Sequence, residues 1–271
     1  MKKKNEILDF YTNKYNENER MMRQPLEFLR CKEIIARYLT AEKMEIADIG
    51  GATGVFSYWL AAQNHKVHLL DYTQAHIDRA KENGKLQNLS LESYTCGDAR
   101  ALPYADNAFD IVLEMGPLYH LQEGDDRIKC LEEAWRVLKS GGVMLCEVIS
   151  RYANLFECFQ DDLLNNETFV ALLEENLRSG KHTPGDSGFF TTAFFHTPNL
   201  ITEELTHAGF TDIKLIAVEG FAQILDINDF MYDENRKAFL LEYIRRTESI
   251  PELLGVSGHY IAIAKKADTT T

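Results

Sequence analysis

Apolar residues in the first half of the chain recur in two alternating rhythms. Short runs rich in aliphatic and β-branched residues, at Glu45–Ile49, Lys66–Leu70, Phe109–Leu113 and Val143–Ile149, have the length and character of strands, with a weaker run at Leu91–Thr95. Between them the spacing turns helical. Val55, Phe56, Trp59 and Leu60 share one face, and so do Ile128, Leu131, Trp135 and Leu138. The second of these helices is expected to stop at Lys139-Ser140-Gly141-Gly142, with glycine as its left-handed cap. Strand–helix alternation of this kind predicts parallel strands joined by right-handed crossovers, with helices on both sheet faces.

The rhythm breaks after Ser150. Arg151 to His196 mixes a helical run, Glu167–Leu177, with the loop Ser179–Gly185 and an aromatic cluster of Phe189, Phe190, Phe194 and Phe195. Alternation resumes at Thr197-Pro198, a helix N-cap followed by proline in the first turn. That helix feeds a strand at Asp212–Val218, and a last strand is expected at His259–Ala264. The reading is therefore an α/β, Rossmann-like fold with a seven-stranded, mostly parallel sheet, an antiparallel last strand at or near one edge, and a helical cap. Its segments are an N-terminal cap (1–40), a core (41–150) continued at 197–220 and 258–266, cap insertions at 151–196 and 221–257, and a short tail (267–271).

Composition narrows the chemistry. Forty-two acidic against 29 basic residues leave a net charge of −13, which repels phosphate backbones and argues against nucleic acid as partner. No apolar run reaches the roughly 18 residues of a membrane span, and the lysines at the start precede no apolar signal core. The five cysteines are scattered without a Cys-x-x-Cys pair, so neither a zinc site nor a disulfide framework is expected, and a reducing cytoplasm is. No metal is expected.

The most informative segment is Ile46-Ala47-Asp48-Ile49-Gly50-Gly51-Ala52-Thr53-Gly54. A strand runs through an acidic residue into a glycine-rich turn that opens a helix, where ligand can approach the main chain and unpaired N–H groups await it. Dinucleotide sites require Gly-x-Gly-x-x-Gly, and counting from Gly50 puts Ala52 and Val55 at the second and third glycines. An acidic-x-Gly-x-Gly-x-Gly pattern fits Asp48, Gly50 and Gly54 with one departure, Ala52, whose methyl is tolerable if its φ stays negative. Asp48 serves either this pattern or the capping of the following helix.

On these residues the chain resembles the class I S-adenosylmethionine-dependent methyltransferases, from about Glu45 to Gly220, and within them the small-molecule enzymes of the ubiquinone-biosynthesis type. The resemblance implies that Gly50, Gly51, Ala52 and Gly54 cradle S-adenosylmethionine, that Asp71 accepts from its ribose hydroxyls, and that Tyr72 lies against adenine. Cys96-Gly97-Asp98-Ala99 matches the loop whose acidic residue contacts the adenine amino group. Phe109 to Gly116 matches the strand whose end, Glu114 and Met115, approaches the methionine moiety, and Ala134 to Gly142 the passage into the fifth strand. Tyr11, Tyr15 and Arg20 stand where related enzymes lay a helix over the cofactor; these residues serve either the cofactor or the packing of that helix.

The acceptor side is less specific. Gly116-Pro117-Leu118-Tyr119-His120-Leu121 lacks the Asn/Asp-Pro-Pro-aromatic signature of exocyclic base methylation. Tyr119 and His120 are expected beyond a central strand's C-terminal end, where open α/β sheets bind ligand. His120 serves there either as a general base or as a hydrogen-bonded structural residue. The expected activity is methyl transfer to a small molecule. An aminopropyltransferase would need an Asp-rich polyamine pocket that is not seen beside strand four, and a non-catalytic sensor is disfavoured by the complete set of cofactor motifs.

Overall fold

A computed structural model of the chain describes residues 7, 10, 11, 25–185 and 187–268. A helix, α1 (Pro25–Ala36), leads into β1 (Glu45–Ile49), α2 (Val55–Ala61), β2 (Lys66–Asp71), α3 (Gln74–Gln87), β3 (Ser93–Cys96) and β4 (Phe109–Glu114). Then follow α4 (Gly124–Val137), β5 (Leu138–Ile149), α5 (Ala153–Gln160), α6 (Glu167–Ser179) and a small hairpin of β6 (Lys181–His182) and β7 (Ala193–Phe194). The chain closes with α7 (Pro198–His207), β8 (Thr211–Ala217), α8 (Asn228–Tyr232), α9 (Glu234–Thr247), α10 (Pro251–Leu254) and β9 (His259–Lys265).

Seven strands form one sheet in the order β3-β2-β1-β4-β5-β9-β8. β1 pairs in parallel with both β2 and β4, and β9 runs antiparallel between β5 and β8. The last strand is therefore next to the edge, which β8 occupies. Alternate residues of each strand feed opposite faces. Ala47, Ile49, Val112 and Cys146 pack under α4 and α7, whereas Ile46, Ile111, Leu113 and Leu145 meet α1 and α2. The order reverses between β1 and β4, and a crevice opens there beyond the strands' C-terminal ends.

Two local expectations are corrected. Helix α4 stops at Val137 because Leu138 turns to extended backbone (ψ 140°) and joins β5, so Gly141 (φ 74°) lies inside the strand rather than capping the helix. The buried stripe of α4 is Cys130, Leu131, Ala134 and Val137, which leaves Ile128 and Trp135 half-buried: the real stripe is rotated by about one residue from the predicted one. The cap's aromatic cluster divides its work. Phe189 joins Cys158, Phe169 and Leu173 in a separate small core, while Phe195 packs with Tyr119 and Ile149.

A buried ion pair between α4 and α7 holds the last residues of the insertion, Phe194 and His196, against the core. Arg127 of α4 donates Nε and Nη2 to Glu204 of α7 at 2.9 and 2.7 Å, its guanidinium lies 3.6 Å from the centre of the Phe194 ring, and His196 donates Nε2 to the same carboxylate. Nη1 of Arg127 spans the carbonyls of Leu121 and Gln122, both at 2.9 Å. The loop after β4 is thereby held from behind.

A second buried pair joins the segment just after β8 to the start of β9. Glu219 accepts from the main-chain N–H of His259 at 2.9 Å and from Nδ1 of its ring at 2.8 Å. Burial opposes charge on His259, yet the carboxylates of Glu219, Glu27 and Glu147 outweigh it and raise the imidazole to about 10. A histidine raised above its unfolded value of about 6.5 lends stability below that value and loses it as pH climbs through the folded one. Unfolding free energy should thus fall between neutral pH and pH about 10, and His259→Gln should be less stable at neutral pH with a flatter slope. Denaturant titrations of both proteins across that range check this, and parallel slopes would contradict it.

Candidate active site

A cavity of about 270 Å³ opens over the C-terminal ends of β1, β2 and β4. Its floor is the turn after β1. Gly50 has φ 75°, and a Cβ there would stand 2.5 Å from Cδ of Pro117; one on Gly51 would stand 2.3 Å from Leu69 and 2.5 Å from the carboxylate of Asp48. The turn is glycine because backbone and neighbouring side chains touch. Ala52 departs from the sequence expectation: its φ is +46°, in the left-handed region. An L-residue there costs about 1–2 kcal/mol.

Asp71, at the end of β2, holds that turn. Its Oδ2 accepts from the N–H of Ala52 at 3.0 Å, and its Oδ1 accepts from the N–H of Thr73 at 2.8 Å and from Nδ1 of His76 at 3.1 Å. Tyr72, Thr73 and His76 line the cavity beside it. Further along, Gly97, Asp98, Ala99 and Arg100 form another wall. The carboxylate of Asp98 takes Nε and Nη2 of Arg100 at 2.9 and 2.6 Å, and Arg100 also reaches Asp126. Met115 and Gly116, after β4, complete this side.

Three predicted cofactor residues lie behind the lining rather than on it. Asp48 is fully buried, accepts from Ser57 Oγ at 2.6 Å, and is raised to about 6 by burial, with the Ser57 bond opposing. Glu114 is also fully buried, takes the thiol of Cys130, and is raised to about 7 by burial. Gly54 opens helix α2 at φ 85°. These three shape the floor. Tyr15 and Arg20 fall outside the described residues.

Tyr11 does reach the cavity. Its hydroxyl lies 2.7 Å from Nε2 of His120, and its ring meets His76 edge-on at 5.5 Å. Tyr119 and His120 follow β4 in a single 3₁₀ turn, Leu118–His120, and both line the cavity. Nδ1 of His120 lies 3.2 Å from the carbonyl of Thr192 in the cap hairpin. Phe190 flanks the same ring at 5.9 Å.

Several lining residues escaped the sequence reading. Glu27 and Cys31 stand one helical turn apart on α1, and Glu147 sits among apolar neighbours near the end of β5. An acidic residue inside an apolar strand run was a usable signal for Glu147; Thr192 carried none. Cys31 donates to Glu147 at 3.3 Å, and burial together with Glu147 and Glu27 pushes its thiol well up.

Comparison with known proteins bears on the fold and on its central segment. Residues 47–146 match the model of a methyltransferase domain. Over those residues the chain is similar to a methyltransferase domain, and its fold is that of the class I methyltransferases. It is 29% identical over 172 residues to the ubiquinone/menaquinone biosynthesis C-methyltransferase UbiE of Acidiphilium cryptum, covering 62% of this chain and 66% of that protein. A probable tRNA methyltransferase 9B of mouse is 31% identical over 142 residues, 51% of this chain and 29% of that one. The chain thus spans from under a third to about two thirds of these relatives' lengths. A SAM-dependent methyltransferase structure from Methanosarcina mazei superposes with a TM-score of 0.60 at 19% identity, covering 87% of this chain and 97% of that one.

S-adenosylmethionine is the cofactor of the family, and the residues present fit it. A carboxylate offers about four lone-pair sites, so Asp71, with three occupied, can take a ribose hydroxyl, and a second one if the His76 contact yields. Losing hydrogen bonds to a charged group is worth roughly 1.5–3 kcal/mol, about ten- to hundredfold in affinity. Asp71→Asn should weaken S-adenosylmethionine binding by that factor in calorimetry, and NADH should not saturate the wild type. Unchanged affinity in a folded variant would remove Asp71 from the site.

Proposed function

We propose that the protein transfers a methyl group from S-adenosylmethionine to a small-molecule acceptor held between Tyr11, Tyr119 and His120. The observation that carries the small-molecule reading is the meeting of three distant segments over the cavity. Tyr11 from the N-terminal segment and Thr192 from the cap meet on His120, over a space of about 270 Å³ that suits a small ligand better than a folded nucleic acid. The net charge of −13 supports the same reading. Tyr72, Asp71, Asp98 and Ala99 would hold the nucleoside, and Gly50, Gly51, Ala52 and Met115 the amino-acid end.

Bound S-adenosylmethionine would supply an electrophilic methyl on a sulfonium, to be displaced in line. The residues would then chiefly orient the acceptor and exclude water, since well-oriented reactant pairs reach effective molarities of about 10⁵–10⁸ M. A base is needed only where the acceptor must shed a proton, and adds roughly 10²–10⁴-fold. Nε2 of His120 is engaged by the Tyr11 hydroxyl, which favours an orienting role for this pair over proton removal.

S-adenosylhomocysteine should therefore form when small amines, thiols, phenols or quinols are supplied, and not with tRNA. Product formed only with tRNA would overturn the reading. With the acceptor found, His120→Ala and Tyr11→Phe should each lower kcat by about tenfold, short of the range of a lost base. A thousandfold fall with donor affinity intact would make His120 the base instead.

A further inference from the structure

We propose that Gln122 is a positioning residue that fixes the tautomer of His120. The proposal rests on the reading of His120 as a group beside the acceptor, although the tautomer itself can be measured without any substrate.

Gln122 stands two residues after His120 and is only 6% exposed. Its carbonyl is held by Arg127, which is itself locked to Glu204. Its side-chain Nε2 donates forward, into the cap hairpin: to the carbonyl of His182 at 2.8 Å, to Oγ1 of Thr183 at 2.9 Å and to the carbonyl of Ala193 at 3.0 Å. The two amide protons are thus shared among three oxygens, which come from both sides of the hairpin. One side chain clasps that hairpin to the loop that carries His120.

The consequence falls on the neighbouring carbonyl. Thr192 precedes Ala193, and its oxygen faces Nδ1 of His120 at 3.2 Å. A carbonyl only accepts, so the ring must carry its proton on Nδ1. In the neutral ring Nε2 is then the acceptor, and the Tyr11 hydroxyl 2.7 Å away donates to it. The Thr192 contact is already at the long end of hydrogen-bond distances, so a drift of a few tenths of an ångström would lose it. Beyond residue 193 the hairpin has anchors of its own, from Phe195 N to Gly180 O and from Arg151 Nε to Phe195 O. Next to Thr192, Ala193 pairs with His182 across the hairpin, and Gln122 is the side chain that ties both of these residues to the loop carrying His120. Without it the Nε2–H tautomer becomes accessible, and that form cannot accept from Tyr11.

Long-range ¹H–¹⁵N correlation spectra of the histidine rings test this, at a pH where His120 is neutral. The wild type should show a protonated Nδ1 and an unprotonated Nε2. Gln122→Leu should move both shifts towards the average of two tautomers, and Gln122→Asn, whose amide is one methylene short of the hairpin, should do so in part. Thr183→Val, which removes one acceptor and leaves both carbonyls, should keep the wild-type pattern. Once an acceptor is known, kcat of Gln122→Leu should fall roughly ten- to hundredfold, the scale of a small misplacement at the reacting centre. A wild-type ring with its proton on Nε2, or a single Nδ1–H tautomer persisting in either folded Gln122 variant, overturns the proposal. A locked ring in a protein that forms no S-adenosylhomocysteine supports the clasp and overturns the functional reading.

Discussion

The carboxylate of Asp71, at the end of β2, ties together the open end of the sheet: it accepts from the main-chain N–H of Ala52 in the turn after β1, from that of Thr73 ahead of α3, and from the ring of His76. Its bond to the N–H of Ala52 matters most, because that residue sits at φ +46°. The left-handed conformation costs about 1–2 kcal/mol and a hydrogen bond to a charged acceptor contributes roughly 1.5–3, so the bond is of the size needed to hold the turn in place. The turn proposed to cradle the cofactor is therefore pre-shaped by the same side chain that is proposed to bind the ribose. Such double duty keeps the ligand site and its scaffold in register.

Beneath this turn the protein buries two carboxylates with little compensation. Asp48 has the Ser57 hydroxyl and Glu114 the Cys130 thiol, and one oxygen of each has no partner among the described residues. Burial raises both towards neutrality, which relieves the cost of an isolated charge in the interior. Asp48 also explains Gly51, since any side chain at 51 would run into its carboxylate. The acidic residue ahead of the glycines thus acts here through packing against the turn, one layer below the cavity's lining.

The side proposed for the acceptor is built differently. Tyr11, His120 and Thr192 come from the N-terminal segment, the loop after β4 and the cap, more than seventy residues apart in each case. None belongs to a regular strand or long helix. Their alignment depends on Arg127 and Glu204, a pair buried between α4 and α7, and on the Gln122 side chain. A buried pair of this kind is costly to break because it leaves a charge without compensation, so it gives the loop one discrete position. No helix among the described residues is long and apolar enough to cross a membrane.

The order of strands and helices was legible in the sequence because burial on two faces writes its period into each segment, and the glycine-rich turn and Asp71 because a site made of consecutive backbone must be encoded locally. Those signals were enough to name the fold and the cofactor, and most of the residues they singled out line the cavity. They misplaced the end of α4, since the extended turn at Leu138 is dictated by pairing with β4 and not by the nearby glycines. They also put Asp48, Gly54 and Glu114 on the wall, because spacing along a strand says which face a residue serves but not its depth beneath a ligand. The acceptor side was visible only as two candidate residues after β4. What surrounds them, the Tyr11 hydroxyl, the Thr192 carbonyl and the Gln122 clasp, consists of contacts between distant segments, and two of those partners are main-chain atoms or plain amides that carry no sequence signature. Only the packing of the cap against the sheet decides where such groups meet.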